Sequence, residues 1–110
     1  VHAAFTACGA EATVAVDRVT GRARVLRVKL LPVCGPVLSA QGLLAQMEGC
    51  AAMATGFVLT EELPARDGQF RARNLDGYLV PTLADTPFVE CEAVDDIPED
   101  ALGPRGVGEI

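Results

Sequence analysis

The chain has no tryptophan, one tyrosine and one histidine, and aromatic residues make up 5% of its 110 positions. A core built from it must therefore rest on Val, Leu and Ala. The only imidazole is His2, so a Ser-His-Asp or Cys-His nucleophilic site within this chain is not credible. Basic residues are also scarce: nine Lys and Arg stand against fifteen Asp and Glu, for a net charge of −6. No basic stripe exists to neutralise phosphates, which argues against a nucleic-acid partner and against an anionic membrane surface. The most apolar stretch, 43–59, is interrupted by Gln46, Glu48, Gly49 and Gly56, a poor membrane span. Cys8, Cys34, Cys50 and Cys91 form no CxxC pair and no Cys/His cluster, so a zinc or iron–sulfur site held by this chain alone is not expected. Buried free thiols in a reducing, cytoplasmic compartment are the expectation; the alternative is disulfides, for which four cysteines allow three pairings. There is no GxGxxG or P-loop pattern, no internal repeat and no low-complexity segment.

Half of the residues are hydrophobic, enough to build the core of one domain spanning 1–110. Residues 10–16 alternate and carry β-branched side chains, and 22–31 read the same way less regularly. Between them Asp17-Arg18-Val19-Thr20-Gly21 has turn chemistry, which predicts a β-hairpin ended by Pro32 and Cys34-Gly35-Pro36. Ser39 is a candidate N-cap for a helix from Ala40 to about Leu59. Leu43, Met47, Cys50, Ala54 and Phe57 recur at helical spacing, and Leu44, Ala51 and Val58 widen the stripe, so this helix is expected to be largely buried. A second stripe holds Gln46, Gly49, Met53 and Gly56. Glycine inside a helix costs roughly 1 kcal/mol relative to alanine, so close approach of another backbone or a ligand is expected there.

Arg66-Asp67-Gly68 reads as a turn, with a short strand near 69–73. Pro81 fixes an extended segment over 79–82, and 88–94 alternates as a strand. The order strand, strand, long helix, strand predicts an α+β two-layer sandwich, a mostly antiparallel sheet with one long covering helix. Most carboxylates, including Glu61-Glu62 and Asp95-Asp96, fall in runs expected to be solvated. Glu109 differs, because Gly103-Pro104-Arg105-Gly106-Val107-Gly108 precedes it. Alternating glycines let a backbone adopt unusual dihedrals and approach a ligand closely. By pattern alone, a flexible tail with a solvated Glu remains the plainer alternative.

Read together, several segments resemble one family. They are Val16-Asp17-Arg18-Val19-Thr20-Gly21, Gln46-Met47-Glu48-Gly49, Leu59-Thr60-Glu61-Glu62-Leu63, 74–82 (NLDGYLVPT) and the closing Gly106-Val107-Gly108-Glu109. In this order and spacing they are similar to the C-terminal region of the large subunits of molybdenum hydroxylases, the xanthine dehydrogenase and aldehyde oxidoreductase family. The likeness spans nearly the whole chain. It implies a fragment of a molybdopterin-binding domain, inactive alone, in which Glu109 is the catalytic base and Gln46 contacts the pterin. It also implies iron–sulfur clusters and a flavin on other domains or subunits. The implied partners are the remainder of the large subunit, iron–sulfur and flavin subunits, and a small-molecule substrate hydroxylated with water-derived oxygen: an aldehyde, a purine or an N-heteroaromatic. A start at Val1 and an abrupt stop at Ile110 fit a piece of a longer chain. Departures from the family pattern cluster around the helix. Val33-Cys34-Gly35 and Ser39-Ala40 replace Asp-x-Gly and Asn-Pro ahead of it, Gly49-Cys50 replaces a double Gly, and Met53-Ala54 replaces Gln-Gly. They keep open a second reading, a non-catalytic assembly or binding domain that is a remnant of the same fold.

Overall fold

A computed structural model of the chain describes residues 5–94 and 103–108. The hairpin forms where alternation predicts it and runs further at its open end: β1 is Ala7–Val16 and β2 is Ala23–Val33. The two strands pair antiparallel, Ala10 opposite Leu30 and Val16 opposite Ala23, with a register shift between Thr13 and Val14. The turn is held by Asp17. Its carboxylate accepts from the amides of Val19 (2.8 Å) and Thr20 (2.7 Å), and Gly21 takes the left-handed conformation (φ 74°). These bonds, first that from the Thr20 amide, hold the Asp17 carboxyl below its ordinary value.

Pro32 does not end the hairpin, because β2 continues through it to Val33. The Pro32 carbonyl accepts from the Val94 amide (2.9 Å). In a strand both polar groups of a residue point to the same side, so the missing proline N–H falls on that side and the ladder to β1 is undisturbed.

Helix α1 spans Ala40–Leu59, as predicted, and Ser39 caps it, its hydroxyl accepting from the Gly42 amide (3.1 Å). The last turn closes on Gly56, whose carbonyl accepts from both Thr60 (3.0 Å) and Glu61 (2.8 Å). A small hairpin follows, β3 (Ala65–Arg66) with β4 (Gln69–Phe70), turning on Asp67 and Gly68, both at positive φ. Strand β5, Phe88–Cys91, returns to the main sheet and pairs parallel to β2, with Val28 opposite Val89. The sheet order is β1-β2-β5. The architecture is therefore the expected α+β sandwich, with a mixed sheet of one antiparallel and one parallel pair. Hydrogen bonds from Glu92 to Leu30 (3.0 Å) and from Val94 to Pro32 carry the pairing past the end of β5.

The helix is less buried than its composition suggests. Leu43, Met47, Ala51 and Thr55, spaced four apart, form the buried face with Met47 fully enclosed, and Gly56 is buried beside them. Phe57 (78% exposed) and Val58 (74%), expected in the buried stripe, are exposed, Val58 across an open gap from the sheet. One layer of sheet can bury only one face of a helix. By length and composition α1 could cross a membrane, with a mean hydropathy of 1.3, but its Met47 face packs on β2 and β5 as a core helix does. The core is Leu30, Cys34, Leu43, Met47 and Ala51, with Val28, Val89, Cys91 and Val107 packed against it. All four cysteines are free; Cys34 is buried and the other three are half-buried. Burial pushes the Cys91 thiol up, with smaller contributions from Cys8 and Cys34.

Candidate functional site

The first turns of α1 carry Gln46, the predicted cofactor contact. Its side chain is exposed and lines a hollow of about 330 Å³ at the helix N-terminus. Ser39, Gly42 and Leu43 form one wall; Pro104, Arg105 and Val107 form the other. The glycine-rich segment preceding Glu109 therefore lies across the hollow from Gln46. Glu109 itself lies outside the described residues, as do Asp95 and Asp96.

Among the described residues, three hydrogen bonds hold this segment. The Arg105 amide donates to the Cys34 carbonyl (2.9 Å), and the Arg105 guanidinium Nη1 donates to the Phe5 carbonyl (2.7 Å). The Thr6 hydroxyl donates to the Gly106 carbonyl (2.9 Å). Gly35 makes the approach possible. It sits at φ 71°, and a Cβ there would lie 3.0 Å from the Gly103 carbonyl oxygen. Val107 packs on the core beneath. Thr6 and Arg105 had no signal in the sequence, because their partners lie as much as a hundred positions away.

The two helix glycines behave differently. A Cβ on Gly56 would overlap Glu61 Oε1 and fall 2.5 Å from Pro81 Cδ, so this position has to be glycine for the 79–82 segment to pack. The Tyr78 hydroxyl donates to the Glu61 carboxylate here, which raises the tyrosine's pKa above its ordinary value, first through that hydrogen bond. Glu61, expected to be solvated, is half-buried in this clamp. The clamp explains why the Thr-Glu-Glu and Tyr-x-x-Pro segments occur together: they meet on Gly56. A Cβ on Gly49, on the same helix, would meet nothing within 4 Å.

At the far end of α1 an open trough of about 1000 Å³ separates the hairpin turn from Leu59 and Thr60. A neighbouring apolar gap of about 530 Å³ lies between Val14 and Val25 on the sheet and Ala54 and Val58 on the helix. Neither contains a predicted site residue. Among the described residues no cluster of three His, Cys, Asp or Glu could hold a metal ion.

The sequence matches the molybdopterin cofactor-binding domain family over residues 1–87. It is 42% identical over 110 residues to a subunit of a probable xanthine dehydrogenase of Bacillus subtilis (strain 168), covering 99% of this chain and 15% of that protein. It is 34% identical over 101 residues to the aldehyde oxidoreductase molybdenum-binding subunit PaoC of Escherichia coli (strain K12), covering 88% of this chain and 14% of that protein. Among solved structures, quinoline 2-oxidoreductase from Pseudomonas putida 86 superimposes with a TM-score of 0.83 at 30% identity, over 93% of this chain and 13% of that one. The chain thus spans about one-seventh of the length of the curated relatives it matches. Motif order, fold and both kinds of similarity agree: the chain belongs to the molybdopterin cofactor-binding domain family of the xanthine dehydrogenase and aldehyde oxidoreductase type of molybdenum enzymes.

Proposed function

We propose that this chain is the part of a molybdenum hydroxylase large subunit that supplies a pterin contact, Gln46, and the general base, Glu109. The observation that carries this reading is the hollow at the N-terminus of α1, where Gln46 faces the 104–107 segment that leads into Glu109.

The residues present suit one edge of such a cofactor. The Gln46 amide offers both a donor and an acceptor for a heterocycle. Gly49, one helical turn further on, leaves the surface open for close approach from outside this chain. A hollow of this size is at the small end for a ligand site, which suits one wall of a shared pocket. When bound, the cofactor supplies the metal centre that accepts the substrate's electrons. In this chain Gln46 orients the pterin edge, Val107 and Leu43 keep that side of the hollow apolar, and the Glu109 carboxylate takes a proton from the water-derived nucleophile. Iron–sulfur and flavin partners, and an aldehyde, purine or N-heteroaromatic substrate, belong to the remainder of the assembly in this proposal.

Replacing Glu109 with Gln in the assembled enzyme is expected to lower kcat by about 10²–10⁴-fold with the molybdenum content unchanged. Retained turnover would refute the base assignment. The remnant reading draws on the apolar walls formed by Pro36, Val37 and Leu38. Metal analysis separates the two readings, since a remnant assembly carries no molybdenum.

A further inference from the structure

The loop that leads to Glu109 has a physical problem to solve. Gly103, Gly106 and Gly108 each have open space where a side chain would be, and glycine loses more conformational freedom on ordering than any other residue. Left to itself, a segment of this composition would deliver the following side chain over a wide range of positions. A general base has to sit within hydrogen-bond reach of its proton, and a misplacement of about 1 Å can cost as much as a hundredfold in rate. The loop therefore needs restraint from elsewhere in the fold.

The geometry points to Arg105 as that restraint. It is the one side chain in the described 103–108 segment with a charged, multi-donor head. The residue is tied to two separate parts of the fold: its backbone amide donates to the Cys34 carbonyl, at the turn between β2 and α1, and its guanidinium, the bond specific to arginine, donates to the Phe5 carbonyl, just ahead of β1. A charged donor makes the second bond stronger than a neutral one of the same length. Thr6, next to Phe5, fixes the Gly106 carbonyl, and Val107 is seated on the core. Three residues separate Arg105 from Glu109, a reach of at most roughly 14 Å over four steps, and the first two of them, Gly106 and Val107, are themselves held. We propose that Arg105 is a positioning residue: it fixes the 103–108 loop against the helix N-terminus and so sets where the Glu109 carboxylate meets the substrate. The proposal rests on the assignment of Glu109 as base.

The test uses the assembled, molybdenum-loaded enzyme. Arg105→Met keeps an unbranched apolar stem and removes the side chain's donors. It is expected to lower kcat by about ten- to a hundredfold, with KM changed by less than about twofold. Molybdenum content stays at the wild-type level, and hydrogen exchange of the 103–108 amides speeds up. Arg105→Lys, which still offers a donor to the Phe5 carbonyl, recovers part of the rate. Thr6→Val, which removes the neighbouring tether, has a smaller effect in the same direction and tests the loop should Arg105→Met fail to assemble. A double variant, Arg105→Met with Glu109→Gln, is expected to be no slower than Glu109→Gln alone, because Arg105 acts through Glu109.

The proposal is overturned if kcat is unchanged while loop exchange rises, if lost activity tracks lost molybdenum, or if the two substitutions multiply. Turnover retained in Glu109→Gln removes the base assignment itself. Full activity in Arg105→Met with Glu109→Gln inactive removes the anchor alone.

Discussion

The two ends of α1 use glycine for opposite purposes. At the C-terminal end, Gly56 is crowded by this chain's own Glu61 and Pro81, and the Tyr78–Glu61 hydrogen bond closes over it. At the N-terminal half, Gly49 is open and Gln46 borders a hollow. The same residue type on one helix is explained in the first case by packing within the chain. In the second its helix-propensity cost is not offset by anything within the described residues. In the proposed reading that contrast separates a structural end from a cofactor-facing end, and it can be pressed with substitutions.

The largest effect is expected at the pivot between the ends. Met47 is fully enclosed, and Met47→Ala should destabilise the domain by about 2–5 kcal/mol, read by denaturant unfolding and with both ends loosened alike. Next is Gly56→Ala, whose Cβ would overlap Pro81 and Glu61; a loss of roughly 1–3 kcal/mol is expected. Gly49→Ala should do the reverse in the domain, adding about 1 kcal/mol of helix stability. If Gly49→Ala also lowers molybdenum content in the assembled enzyme, the open end is where the cofactor approaches; stability gained with content unchanged would break the contrast. Ser39→Ala should cost about 1 kcal/mol and fray the N-terminal end only, seen as faster amide exchange at 42–46.

The smallest effects are expected from pH. The Tyr78 pKa is raised above its ordinary 10.0, so the clamp's contribution is fully present below that value and is lost as pH rises through the higher folded-state value. Alkaline titration of the isolated chain, where Tyr78 is the only tyrosine, should show a late phenolate transition that returns towards 10 in Glu61→Gln. Asp17 behaves in the opposite sense. Its pKa lies below 3.8, so the hairpin turn's contribution is present above that value and is lost as pH falls through the lower folded-state value. Amide exchange at Val19 and Thr20 in acid would show it.

How much of this was legible in the sequence depended on distance along the chain. The helix from Ala40 to Leu59 and its Ser39 cap were readable because capping and periodicity are local. The Asp17–Gly21 turn was readable for the same reason. The buried face was only half readable. Leu43, Met47 and Ala51 lie inside as expected, whereas Phe57 and Val58 share their hydrophobicity and are exposed; Val58 stands across an open apolar gap from the sheet instead of packing on it. For the site, Gln46 and the approach to Glu109 were picked out by motif. That they share a hollow depends on contacts spanning up to a hundred residues.

The sequence by itself determined the elements, the turn chemistry and the family, since each rests on residue types at short, fixed spacings. Tertiary structure alone decided that β5 joins β2 in parallel, that Gly56 is filled from within while Gly49 stays open, and that Arg105 ties the closing loop to the strand start and the helix entrance. The reason is physical: those outcomes depend on which surfaces meet, and no pattern within one segment records its distant partner.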